Sequence, residues 1–433
     1  MLLMDAMSNA LRVEERLCNT ATQKRIPLGG SLELLPLCNM NCDMCYVRLS
    51  REEMDQKGRI RSGIEWLDLA RQMKDAGTLF LLLTGGEPLL HPDFQLIYRE
   101  LKKMGMIITL NTNGTLINER WADFFAFYRP RRVNITLYGK DAESYERLCH
   151  FGAGYELAVR GIRLLRERGV DVKINGSLTR ENREDIPQLL ETAKQLDAPI
   201  HIDTYMYPAR RERNKGFHYD TRLGPEEAAR ARVKILKSSL TEDEFRVYGE
   251  EILNMVKSSS LEDPDLSVRC RAGRSSFIIN WLGNMTPCVM LNEPSINAFE
   301  KGFIQSWNQI INKTEEIRTS EKCGKCTLRE VCNTCAACAL LETGSYDGVP
   351  DYICRYTQKT VQLLEESRSV AVKAKSIKSE RSKVEPPDNF VDIVNALENR
   401  LITEKEAIKQ SGMTEAIFYR RLQEYRKNCG KNV

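Results

Sequence analysis

The stretch Cys38-Asn39-Met40-Asn41-Cys42-Asp43-Met44-Cys45 decides how the rest of this chain is read. Three thiols fall within eight residues at the spacing C-x3-C-x2-C. Soft thiolates so close together bind zinc or an iron–sulfur cluster. Three is one ligand short of the closed tetrahedral set of structural zinc. A four-iron cluster held by three Cys leaves one iron open to a substrate or cofactor. That open position is the chemical sense of the spacing.

The chain of 433 residues has length enough for two or three domains. Its 64 basic and 60 acidic residues give a net charge of +4, too balanced to imply nucleic acid or membrane binding. The 14 cysteines are clustered, which favours metal sites over a disulfide framework. The opening Met1-Leu2-Leu3-Met4 stops at Asp5 with no basic residue before it, so no signal peptide is expected. The apolar run Leu79–Leu83 is too short to span a bilayer. A cytoplasmic protein with reduced thiols and no membrane partner is expected.

Residues 1–30 read as an N-terminal extension with a short helix over Asp5–Leu17 and an ordinary free thiol at Cys18. From 31 to 220, apolar runs alternate with amphipathic stretches. The strand candidates are Leu32–Leu35, Leu79–Thr84, Met106–Asn111, Arg132–Leu137, Val172–Ser177 and Ile200–Tyr205. Helix candidates between them are Ile64–Asp75, Phe94–Lys103, Glu119–Phe127, Tyr155–Arg168 and Ile186–Gln195, several ending at Gly. Six strand–helix units predict an α/β fold, a parallel sheet with helices outside. Chemistry then lies at the C-terminal strand ends. The cysteine stretch follows the first strand there, and Gly85-Gly86-Glu87-Pro88 the second. Asn111-Thr112-Asn113-Gly114 follows the third, and Thr136-Leu137-Tyr138-Gly139 the fourth. Of Asp203, Tyr205 and Tyr207 after the sixth, one could orient substrate or pass a proton, but each by itself reads better as a solvent-facing loop residue, and Cys149-His150 reads as an incidental pair at a helix end.

The motif C-x3-C-x-(apolar)-C, met by Cys38, Cys42, Met44 and Cys45, resembles the signature of radical S-adenosylmethionine (SAM) enzymes. The resemblance implies a partial (β/α)6 barrel of the TIM type. It implies a [4Fe–4S] cluster on Cys38, Cys42 and Cys45, with SAM on its open iron. Gly85, Gly86 and Glu87 then match the segment that contacts the SAM amino group. Asn113 matches a site-lining stretch, and Thr136 takes the place of a Ser near the SAM ribose. Met44 belongs to the signature itself. No residue is assigned to the chemistry on the substrate.

Residues 221–262 read as a helical bridge, and 263–360 as a second cysteine block. The block holds Cys270, Cys288, Cys323, Cys326, Cys332, Cys335, Cys338 and Cys354, with a hairpin over Phe277–Met290. Its C-x2-C pair suits zinc as well as iron. The order of elements resembles the SPASM extension of radical SAM enzymes, which carries two auxiliary clusters. That resemblance puts Cys323, Cys326, Cys332 and Cys354 on one cluster, and Cys270 and Cys288 on the other. Where the family has one cysteine after Cys332, this chain has two. Either both Cys335 and Cys338 join Cys270 and Cys288, or one does and an iron stays open or the cluster is smaller.

Lys/Ser-rich residues and Pro386-Pro387 mark 361–388 as a linker. Residues 389–433 hold three short helical stretches with a capping box, Thr403-x-x-Glu406, and a turn at Ser411-Gly412. They resemble a resolvase-type helix-turn-helix, which would turn Tyr419, Arg420, Arg421, Arg426 and Lys427 to DNA.

The resemblances together imply a radical SAM oxidoreductase acting on a peptide or protein, by crosslinking or side-chain oxidation. Oxidation of a cofactor precursor is a rival within the class. The implied partners are an electron donor of flavodoxin or ferredoxin type and, with no long N-terminal leader-binding domain in view, a separate leader-peptide-binding protein. The alternative from another class is an iron–sulfur or metal-responsive regulator that binds DNA through residues 389–433.

Overall fold

Among the described residues, nine short strands pair edge to edge into one sheet. They are β1 (Gly29–Glu33), β2 (Phe80–Thr84), β3 (Ile107–Thr112), β4 (Arg132–Thr136), β5 (Val172–Ser177), β6 (Ile200–Asp203), β7 (Ser276–Ile279), β8 (Asn284–Thr286) and β9 (Ile296–Asn297). The computed structural model describes residues 2–208, 221–258, 265–381, 386–399 and 401–428. It divides into two units, residues 1–363 and 364–433.

The sheet order is β6-β5-β4-β3-β2-β1-β7-β8-β9. Strands β1 to β6 are parallel and consecutive, so each strand–helix unit adds the next neighbour, as short right-handed crossovers dictate. This is the parallel sheet with outer helices that the periodicity predicts and the partial barrel that the resemblance implies, and its helices lie where the amphipathic stretches do. Burial alternates along the strands. In β3, Ile108, Leu110 and Thr112 are buried, while Ile107, Thr109 and Asn111 are half-buried. The helix-facing set includes Leu32, Ile108, Leu110, Val133, Ile135, Val172 and Ile174, all fully buried. Each such side chain contributes about 1.5–3 kcal/mol by leaving water.

Caps fix where the helices start. Ser62 closes a capping box with Glu65 at the head of Gly63–Asp75, and Asn118 and Asp141 cap Glu119–Phe127 and Ala142–Cys149. A helix over Arg51–Lys57, announced by the same box at Ser50 and Glu53, escapes the apolar-period reading because its Met54 is its one buried residue.

Two features depart from expectation. The strand β1 begins at Gly29, three residues before the expected Leu32, and its far side pairs with β7 in parallel register, Gly30 opposite Phe277. A β-carbon on Gly30 would meet the Phe277 ring at 2.4 Å, so the missing side chain makes room for that ring. The cysteine-rich block therefore continues the barrel sheet, with β8 and β9 added antiparallel. Second, the helix Asp351–Arg381 runs through much of the expected linker. The Lys, Ser, Ala and Glu there are adequate helix formers, and no Gly or Pro interrupts them before Pro386.

In the C-terminal unit, helices Phe390–Glu398, Glu404–Ser411 and Glu415–Asn428 bury Phe390, Ile393, Val394, Ala407, Phe418 and Leu422 together. Gly412 ends the second helix at φ +65°, and the Thr403–Glu406 box starts it. Thr403→Ala in the full chain is expected to cost about 1 kcal/mol of local stability. Amide exchange across Glu404–Ser411 should then speed up roughly fivefold. Among the described residues no helix is long and apolar enough to cross a membrane.

Candidate active site

The cysteine loop leaves β1 and is held against the end of a neighbouring helix. The Asn41 and Asp43 N–H groups donate to the carbonyls of Cys149 and Leu148, both at 3.0 Å. The last turn of Ala142–Cys149 thus spends its orphan carbonyls on the loop. His150, in the left-handed region at φ +52°, sets its Nε2 2.8 Å from Asp43 Oδ1. Cys149 itself shares a hydrogen bond with Cys42, so the pair read as incidental packs directly on the loop.

Two of the three thiols receive N–H donors. Met40 N donates to Cys38 Sγ at 3.4 Å and Arg48 N to Cys45 Sγ at 3.3 Å, which is how a thiolate ligand is solvated from behind. Asn113 Nδ2 lies 3.6 Å from Cys38 Sγ. Burial, then the nearby Glu87 and the other two thiols, push the Cys38 thiol up to about 12. A bound cation would reverse that balance and draw out the thiolate. Among the described residues no thiol besides these three lines the adjoining cavity, which fits a cluster with one iron left open.

All three thiols line a cavity of about 370 Å³. Its floor is made by the ends of five parallel strands, through Thr84, Asn111, Thr136, Ser177 and Asp203. Met44, Gly85, Gly86 and Asn113 are on its wall as well, and so are Tyr138, Tyr205 and Tyr207. Met290 and Leu341, from the cysteine-rich block, close one side.

Glu87 is placed differently from the expectation. Its carboxylate does not line the cavity and is fully buried. It accepts from Leu89 N at 3.1 Å, Asn113 N at 2.8 Å and Thr112 Oγ1 at 2.8 and 2.9 Å. It ties the loop after β2 to the loop after β3. Burial raises its carboxyl to about 7 against those three hydrogen bonds. The Gly pair also has a local reason. A β-carbon on Gly86 would meet Leu37 O at 2.3 Å, because this loop packs backbone to backbone on the segment entering the cysteine loop. Asn113 is likewise a strut, with its amide shared among Asn39 Oδ1, Thr115 N and Thr115 Oγ1.

The second cysteine block forms a cavity of about 170 Å³ shared by Cys270, Cys288, Cys335, Cys323 and Cys332. Cys354 faces Cys332, Cys323 and Cys326, the grouping expected of one set. Cys288 faces Cys335 and Cys270. Cys338, buried and pushed up to about 12 by that burial, does not line this cavity. Among the described residues no three His, Cys, Asp or Glu converge as a ready-made metal site. The fit to clusters rests on which thiols share a cavity. In the C-terminal unit, Tyr419 donates to Glu404 at 2.8 Å and Arg426 Nε to Glu398 at 3.2 Å, so both are engaged within the unit. The side chains of Arg420 and Lys427 fall outside the described residues.

Residues 32–193, which hold the three-thiol loop, match the radical SAM superfamily. Over 334 residues the chain is 26% identical to the AdoMet-dependent heme synthase of Methanosarcina barkeri, covering 72% of this chain and 92% of that protein. Over 326 residues it is 24% identical to the antilisterial bacteriocin subtilosin biosynthesis protein AlbA of Bacillus subtilis, covering 72% and 67%. In three dimensions it resembles the crystal structure of Streptococcus suis SuiB, with a TM-score of 0.59 at 20% identity, over 78% of this chain and 80% of that one.

Proposed function

We propose that this protein cleaves SAM reductively and uses the resulting radical to remove hydrogen from a peptide or protein substrate. One observation carries the reading: three thiols, two with N–H donors behind them, open on a cavity at the C-terminal strand ends of a radical SAM domain. Cys38, Cys42 and Cys45 would hold a four-iron cluster, which would supply the electron for reductive cleavage of SAM to methionine and a 5′-deoxyadenosyl radical. The chain's own work is positional. Asn113 and Asn39 hold the loop, Gly85 and Gly86 admit close backbone packing, and Thr136 and Ser177 offer hydroxyls to a ribose. Tyr138, Tyr205 and Tyr207 wall the cavity and limit water, which would quench a carbon radical.

The peptide class is supported by AlbA, a bacteriocin biosynthesis protein with similarity across 72% of this chain. A second reading, oxidation of a tetrapyrrole or other cofactor precursor, is favoured by the heme synthase relative, 92% of whose length is covered. Auxiliary clusters on the second cysteine block, a flavodoxin- or ferredoxin-type donor and a separate leader-binding protein belong to the first reading. DNA binding through 389–433 has the weaker support, since two of its expected contact residues are bonded internally.

The test is anaerobic reconstitution with iron and sulfide, then SAM and dithionite, reading 5′-deoxyadenosine. Formation of 5′-deoxyadenosine is the expected result, and none at any iron content overturns the enzyme reading. Stimulation by precursor peptides, against none by tetrapyrroles, decides between the substrate classes.

A further inference from the structure

The parallel ladder between β4 and β5 ends at Thr136 opposite Asn175, with a last bond from Leu137 N to Asn175 O at 2.9 Å. Past it, the two chains carry Tyr138 and Ser177 into the lining of the large cavity. Carbonyls at the end of a ladder need donors from elsewhere. Asn182, in the turn after β5, serves two of them. It is 2% exposed, and its Nδ2 donates to Tyr138 O at 2.8 Å and to Ser177 O at 3.0 Å. Its partners fix which way the amide points. Oδ1 accepts the Thr179 backbone N–H at 2.7 Å, a group that can only donate, and the Thr179 hydroxyl at 3.1 Å. Two donors and two lone pairs are all used. One side chain thus stands in for the missing ladder and sets how far apart the two strand ends lie.

The same turn braces the loop after β4 a second time. Asp185, 4% exposed, accepts from Ser144 Oγ at 2.8 Å and from Lys140 N at 3.3 Å. A β-carbon on Gly139 would meet Ser144 Cβ at 2.3 Å, so this loop has no slack on that side. Asn182 itself does not line the cavity.

We propose that Asn182 is a positioning residue for SAM: by tying Tyr138 to Ser177 it holds the β4 and β5 ends at the spacing that seats the adenosyl half. This rests on the reading above, in which Thr136 and Ser177 face the ribose. Asn182 acts through those strand ends and touches no part of SAM.

The experiment uses the full-length chain reconstituted with iron and sulfide, with SAM as the probe in equilibrium dialysis without reductant. N182D keeps the volume and the bonds from Thr179 but loses both donations. N182A removes the side chain altogether. N118A, which strips the cap of Glu119–Phe127, controls for lost stability elsewhere in the barrel. The SAM dissociation constant is expected to rise about tenfold in N182D and N182A, the worth of about one hydrogen bond, and to change less than about twofold in N118A. Iron per chain is expected to match wild type in all three. With dithionite added, the KM for SAM should rise about tenfold in the Asn182 variants with kcat within about twofold, whereas a mere loss of folded protein lowers kcat and leaves KM alone. Wild-type affinity in a folded Asn182 variant, an equal loss in N118A, or a loss that only follows iron content overturns the assignment. Failure of both Asn182 variants to fold makes the residue a folding element and overturns it too. Absence of SAM binding by the reconstituted wild type overturns the reading above, and the assignment with it.

Discussion

Cys42→Ala is expected to lower 5′-deoxyadenosine formation by at least about a thousandfold and to remove about four irons per chain. Two remaining thiols cannot hold a four-iron cluster against solvent. Cys42 is also the buried member of the three, packed beneath the loop against Cys149. That neighbour sharpens the test. Cys149 stands on a helix end whose carbonyls already hold the loop, so its thiol has little freedom to replace Cys42. The double variant C42A/C149A shows whether it does. Iron retained by the single variant and lost by the double would make Cys149 a substitute ligand, and full SAM cleavage in C42A would sink the cluster assignment.

Glu87→Gln is expected to change how the metal-free protein's stability depends on pH. In the fold the Glu87 carboxyl is raised from 4.5 to about 7, chiefly by burial. The folded state then holds its proton more tightly than the unfolded chain does. The sign follows: this contribution is full below about pH 4.5 and is lost as pH rises through about 7. At full burial it amounts to about 3 kcal/mol. The Gln variant has no such slope. It also carries a fixed penalty, because N–H donors sit on both carboxylate oxygens, Leu89 on one and Asn113 on the other. Its –NH2 must face one of them, at a cost of about 1–3 kcal/mol. Denaturant unfolding at pH 5 and pH 8 should show a deficit in the variant at pH 5 that narrows at pH 8. A constant difference would mean Glu87 ionises normally.

Most of the barrel was legible because it is local. Apolar runs, Gly stops and capping boxes each report on a few neighbouring residues, and they located all six parallel strands to within three residues at their starts. The site was legible as a motif but not as a mechanism of support. Spacing marks Cys38, Cys42 and Cys45, yet nothing in it says that Cys149, over a hundred residues away, lies against Cys42. Glu87 was recognised by its neighbours in sequence, whereas two of its three hydrogen-bond donors, Thr112 and Asn113, lie at the end of another strand. The pairing of β1 with β7 is invisible for the same reason. Backbone hydrogen bonds between distant strands leave no residue pattern beyond ordinary strand propensity. The spacing does not say that Cys335 lines the cavity with Cys270 and Cys288 while Cys338 does not.

The pairing of β7 on β1 bears on how this protein can be divided. An enzymologist wanting the barrel alone would cut after β6, before the cysteine-rich block. That cut strips one whole flank of hydrogen bonds from β1, the strand that feeds the cysteine loop, and uncovers Gly30 where Phe277 had lain. A strand laid bare in this way recruits other chains and aggregates. The truncated protein should therefore precipitate or lose its first thiol set, even though every residue of that set is still present.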